Sequence, residues 1–229
     1  MLTIYRLTDI PSTNISPIYQ DHKYALNSLC LRSFVHAFAD IKPEMHFLCD
    51  FCPEEYKEMI SLIVPKSWNV EIEFTNIGIN ETMMRSYEIA RDENDIVLFQ
   101  ECDYLYRPNS GQLLLDGVEE FGLVSPYDHL NFYKDKSIHS ENVTLRLVGD
   151  THWRTTERNT MTFAVTPEAY HSGYEIFKKY GYLDSDVWHE NRAIGNQLWV
   201  PIPSIATHMV QDWMAPSVDW YKIIEDILI

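Results

Sequence analysis

Glu101, Cys102 and Asp103 stand directly behind an apolar run in the stretch IVLFQECDYLYRP. Two carboxylates spaced i and i+2 project to one side of an extended segment. Held that close, they repel each other unless a cation lies between or beside them. A divalent, oxygen-seeking ion such as Mn2+ or Mg2+ relieves the repulsion and can bridge to phosphates. An isolated acid-x-acid pair is usually a solvated turn. This one ends a strand that reads as fully buried, and in open parallel sheets ligands bind outside the carboxyl ends of the strands.

The elements that must position the pair follow from the periodicity. LTIYRLTD reads as a first strand. Residues 21–39 carry Leu26, Leu29, Phe34, Ala37 and Phe38 at helical spacing. MHFLCDF is a strand, and residues 53–63 a helix opening on Pro-Glu-Glu. VEIEFTNIG is an alternating strand, residues 80–91 a helix capped by Asn80, and DIVLFQ the next strand. This alternation predicts an α/β fold, a mostly parallel sheet with helices on both faces. Asn109 and Ser110 cap a helix that stops before Gly122, and FGLVSPY is a further strand. HWRTTERNTMTFAVT is β-rich, and residues 167–180 and 184–194 are helical. The tail VPIPSIATHMVQDWMAPSVDW is too irregular for one long element. The expectation is one domain over residues 1–229, with 1–108 as a nucleotide-type α/β half and 109–229 as a more irregular, substrate-facing half and tail.

Composition sets the partners. A net charge of −16 argues against a non-specific grip on nucleic acid, and an acidic chain that binds an anion benefits from a divalent mediator. No segment approaches 18 uninterrupted apolar residues, so no membrane span is expected. The start MLTIYRLTD lacks a secretory signal pattern. Cys30, Cys49, Cys52 and Cys102 lie in or beside apolar runs and read as reduced thiols, which fits a cytoplasmic setting.

ECDYLYRP resembles the D-x-D region of nucleotide-sugar-dependent glycosyltransferases of the GT-A fold, in particular a subgroup that reads E-D-D-Y-L-H there. Cys102 replaces the middle acid and Tyr106 the histidine. SPYDHLNFY, HWRTTERNTMTFAVT and IPSIATHMVQDWMAPSVDW resemble segments of the same subgroup in the same order, so the likeness spans nearly the whole chain. It implies a metal-dependent, hexosyltransferase-like enzyme. A sugar would pass from a nucleoside diphosphate sugar, UDP-sugars favoured, to a hydroxyl of a glycan or other acceptor. The resemblance makes Asp103 the first metal ligand, Glu101 the second, and His208 a ligand of the metal or the diphosphate.

The same resemblance puts Arg6 and Asp50 where the fold holds the nucleotide, with Asp50 able to accept the N3–H of uracil. Strand-end surface charges are the alternative. Arg85 faces the pyrophosphate or is an ordinary exposed helix residue. Asp184 and Asp186 are candidates for the base of an inverting transfer, Asp186 slightly preferred, and either could instead cap the following helix. Asp128 and His129, with Trp153 and Arg154, read as acceptor or donor-sugar contacts; core packing is the alternative for Trp153. Two other functions compete. A nucleotidyltransferase would want a glycine-rich loop after the first strand, and LTDIPSTNISP has no glycine. A non-catalytic binding module is favoured only by Cys102.

Overall fold

The computed structural model describes residues 1–135 and 142–228. Its first half follows the alternation: β1 (Leu2–Thr8), α1 (Lys23–Ala37), β2 (Glu44–Asp50), α2 (Glu55–Ile63), β3 (Val70–Thr75), α3 (Ile79–Ile89) and β4 (Val97–Glu101). Strands β1 to β4 pair in parallel, in the order β3-β2-β1-β4. Side chains alternate across the sheet, and both faces are covered. Tyr5 and Leu98 enter the core under α1 and α2, while Ile4 and Phe99 enter the core under α3. Burial on both sides explains why consecutive residues of β1 are buried and why β4 opens on the apolar run Val97–Phe99.

The chain continues through β5 (Tyr104–Tyr106), α4 (Gly111–Phe121), β6 (Leu123–Val124), a helical turn α5 (Asn131–Lys134), β7 (Leu145–Val148), β8 (Thr151–Thr156) and β9 (Phe163–Val165). Then come α6 (Pro167–Tyr180), α7 (Asp184–Ala193), β10 (Leu198–Ile202), β11 (Ala206–His208), a 3-10 turn (Gln211–Trp213) and α8 (Trp220–Leu228). Strands β9, β6, β10, β8 and β7 extend the sheet beyond β4 in that order, to nine strands among the described residues. Strands β5 and β11 form a separate antiparallel ribbon with His208 opposite Tyr104.

Several local expectations change. Gly78, not Asn80, is the N-cap of α3, at φ +95°, a conformation that favours glycine. Ser110 holds the N-cap of α4 but caps nothing, because its hydroxyl donates to the Arg107 carbonyl. The expected strand at FGLVSPY shrinks to Leu123–Val124. The irregular tail, residues 200–220, takes in the end of β10, all of β11 and the 3-10 turn, and leads into α8 at Trp220. Gly122 ends α4 at φ +79°, as expected. No helix of the described residues is long and apolar enough to cross a membrane.

Candidate functional site

The parallel pairing of β1 with β4 sets Arg6 directly beside Glu101. Arg6 is 6% exposed, and its Nη2 lies 3.5 Å from Glu101 Oε1. Its Nε and Nη2 are buried with no hydrogen-bond partner. Glu101 in turn accepts from the Thr162 hydroxyl at 3.1 Å. Arg6 and Glu101 border a cavity of about 280 Å³ at the carboxyl edge of the sheet, together with Thr8, Lys23, Asp50 and Asp103.

The two acids of the motif do not point the same way. Cys102 and Asp103 form a turn between β4 and β5, so the extended geometry expected of the pair is absent. Glu101 faces Arg6, whereas Asp103 Oδ2 lies 3.3 Å from His208 Nε2 across 105 residues of sequence. The β5–β11 ribbon makes that meeting, and the Met209 N–H donating to the Asp103 carbonyl at 2.8 Å locks it. Burial alone would raise the Asp103 carboxyl, but His208 and Lys23 outweigh it and hold the group well below the usual carboxylate range. Burial likewise opposes the charge on His208, and Asp103 outweighs it, raising the imidazole above its ordinary value. The His208 ring stacks on Tyr104 at 5.0 Å. Among the described residues, no group of three or more Asp, Glu, His or Cys side chains is placed to hold a metal ion. Glu101 is thus not gathered with Asp103 and His208 into one ligand cluster.

Asp50 borders the cavity, but its carboxylate is already engaged. It accepts from the Thr75 hydroxyl at 2.9 Å, from Ile77 N–H at 2.9 Å and from Gly78 N–H, and so fixes the turn into α3. Arg85 lies elsewhere. It pairs with Glu73 at 3.1 Å and Glu88 at 3.8 Å, and lines a separate groove with Lys178 and Lys179.

A second cavity of about 230 Å³ is lined by His129, Asn159, Thr160, Asp184 and Trp213, among others. The Trp213 ring is 5.9 Å from His208 and 6.0 Å from His129, and Tyr127 also contacts both imidazoles. A run of rings therefore leads from Asp103 to this cavity. Tyr127 donates its hydroxyl hydrogen to the Trp213 carbonyl and holds the run in place. Burial, then His208 and Arg154, push the His129 imidazole down to about 4. Its Nδ1 accepts the Asn131 N–H at 3.0 Å, leaving Nε2–H as the donor of the neutral ring.

Asp184, not Asp186, borders this cavity. Asp184 opens α7, is partly buried, and accepts the Ser185 N–H at 2.7 Å; burial raises its carboxyl above the ordinary value. Asp186 is exposed. Leu183 occupies the N-cap position, so neither aspartate does.

The remaining expected contacts are internal. Asp128 and Arg154 form a buried pair at 2.6 Å, with Arg154 Nε also donating at 3.0 Å and Tyr133 Oη at 2.5 Å. Burial pushes the Asp128 carboxyl up, against Arg154 and Tyr133. Trp153 is 1% exposed and packs on Gly117 and Phe121, so it is core and cannot stack on a ligand. No local pattern in the sequence marks Lys23, and Asn159 and Thr160 lie in HWRTTERNTMTFAVT without an expected role. Trp213 likewise lies in IPSIATHMVQDWMAPSVDW with no expected role.

No family model matches the chain, and no curated protein matches it in sequence. Solved structures do match. A galactosyltransferase, LgtC, in complex with donor and acceptor sugar analogs, superposes with a TM-score of 0.52 at 12% identity, over 87% of this chain and 73% of that one. The 4-diphosphocytidyl-2C-methyl-D-erythritol synthase of Anaerococcus prevotii gives 0.54 at 10% identity, over 99% and 93%. The inositol-1-phosphate CTP transferase of T. maritima gives 0.53 at 10% identity, over 99% and 95%. The chain has the GT-A-type fold, which sugar-transferring and nucleotidyl-transferring enzymes share.

Proposed function

We propose that this protein is a glycosyltransferase that moves a sugar from a nucleoside diphosphate sugar, UDP-sugars favoured, to a hydroxyl of a glycan or other acceptor. The observation that carries the reading is the meeting of Asp103 and His208 beside a cavity lined by a buried Arg6, at the carboxyl edge of the sheet. One carboxylate and one imidazole suit a Mn2+ or Mg2+ ion that takes its remaining ligands from donor phosphates and water. Such an ion would offset the charge of the departing diphosphate. Glu101 and Arg6 would orient the nucleoside.

The acceptor is assigned to the second cavity, across the His208–Trp213 wall. Asp184 would take the acceptor hydroxyl proton as that oxygen attacks the anomeric carbon from the face opposite the leaving group, which inverts configuration. Its burial-raised carboxyl suits a general base better than an exposed aspartate does. His129 Nε2–H would donate to an acceptor oxygen.

A nucleotidyltransferase reading draws support from the two CTP-type structures, which align with nearly the whole chain. Against it, residues 9–22, between β1 and α1, contain no glycine. Incubation with a panel of UDP- and GDP-sugars, with and without Mn2+, should release UDP or GDP only with metal. Pyrophosphate release from nucleoside triphosphates and sugar 1-phosphates would support the second reading instead.

A further inference from the structure

Lys23 opens α1 and lines the cavity that holds Arg6 and Asp103. It also lines a small adjoining hollow beneath residues 12–20, which reaches Met209. Only Ser12, Lys23 and Asp103 border both spaces, so Lys23 stands where the two join. Among the described residues its ammonium makes no salt bridge within 4 Å. Burial opposes its charge, yet Cys102 and Asp103 outweigh burial and raise it above the ordinary lysine value.

The acids around Lys23 have other partners. Asp50 holds the turn into α3, Glu101 holds Thr162 and faces Arg6, and Asp103 faces His208. The cations keep donors to spare. Arg6 is a second, independent sign of an absent acceptor-rich ligand, because it lines the same cavity with its buried Nε unpartnered and its buried Nη2 met only by the 3.5 Å ion pair to Glu101, with no hydrogen bond. Leaving such donors unmet costs free energy that a ligand oxygen would recover. The α1 N-terminus adds to the positive field. It begins a 15-residue helix with no acid in its first turn and no side-chain cap from His22.

We propose that Lys23 binds the diphosphate of the donor and stabilises it as the leaving group, a role that rests on the glycosyltransferase reading above. In the transfer, the acceptor oxygen forms a bond to the anomeric carbon and its proton passes to Asp184. The bond from that carbon to the diphosphate oxygen breaks, and its electron pair stays on the diphosphate. Lys23 meets the charge that develops there. A compact ammonium suits this task, since it acts on phosphate as a point charge without needing a fixed fork.

The test is calorimetric titration of UDP, GDP and their nucleosides into wild type, Lys23→Met and Lys23→Arg, each with and without Mn2+. Lys23→Met should weaken the preferred nucleoside diphosphate about 10-fold or more, the scale of one charge-assisted hydrogen bond. Nucleoside affinity should stay unchanged, and Lys23→Arg should recover most of the loss. The salt dependence of diphosphate binding should also flatten in Lys23→Met. Equal diphosphate affinity in wild type and Lys23→Met, alongside a loss in Asp103→Ala, would overturn the role of Lys23 and leave the glycosyltransferase reading standing. A wild type that binds neither the diphosphates nor the nucleosides would overturn both. Melting temperatures guard against a folding defect, and Lys23→Gln replaces Lys23→Met if that variant melts early.

Discussion

Replacing Asp128 by alanine tests whether the Asp128–Arg154 pair is an internal brace or a ligand contact. Both side chains are 3% exposed. The carboxylate accepts from Arg154 Nη2 at 2.6 Å, Arg154 Nε at 3.0 Å and Tyr133 Oη at 2.5 Å. After Asp128→Ala, the guanidinium loses its carboxylate partner and keeps its bond to the Thr155 carbonyl at 3.2 Å and its contacts with the Phe132 ring at 3.5 Å and the Tyr133 ring at 5.8 Å. A buried charge stripped of its partner costs about 3–5 kcal/mol. At ~2–4 °C per kcal/mol for a chain of this size, the melting temperature should fall by roughly 6–20 °C. The double variant Asp128→Leu/Arg154→Met removes both charges and leaves two apolar side chains, so it should recover most of that loss. The assay is urea unfolding of wild type, both single variants and the double variant at neutral pH. A loss under ~1 kcal/mol in Asp128→Ala, or a double variant no better than the single, would refute the brace. The pair would then be open to solvent and free to meet a sugar.

Asp184→Asn should lower transfer by about 10²–10⁴-fold with donor affinity retained, and Asp186→Asn should be nearly silent. Initial rates and melting curves separate these outcomes, and comparable rates in both would remove the base from α7. Because burial raises the Asp184 carboxyl, wild-type turnover should fall on acidification at a higher pH than an ordinary aspartate would give. His129 has a folded-state value of about 4 against its ordinary 6.5, so the unfolded chain binds the extra proton between those values. Stability therefore drops as pH falls from 6.5 to 4, and His129→Phe should make that drop shallower in urea midpoints taken across the range. A Cβ on Gly117 would lie 2.3 Å from the Trp153 ring, which is also packed on Phe121. Gly117→Ala should therefore cost about 1–3 kcal/mol despite alanine's better helix propensity; a stabilised variant would mean the ring has room to move.

The sequence alone determined the β/α alternation through β4, because strand and helix periods are written in neighbouring residues. Helix α6 was equally plain, with Thr166 accepting from Ala169 N–H at its N-terminus and Pro167 at its first position. That an acid lies at the carboxyl end of β4 was also legible, since a buried strand must emerge somewhere and Glu101 and Asp103 mark the place. Where each acid points was not. The turn at Cys102–Asp103 depends on β5 pairing with β11, and no local pattern encodes that pairing or the Asp103–His208 contact, which spans 105 residues. Asp184 and Asp186 look alike in sequence, and only the docking of α7 decides which carboxylate borders a cavity. Trp153 and the Asp128–Arg154 pair read as ligand contacts because their side chains could serve as such. They are core because α4 and the loop after β6 close over β8, and burial belongs to the assembled faces of the fold, not to the residue types that line them.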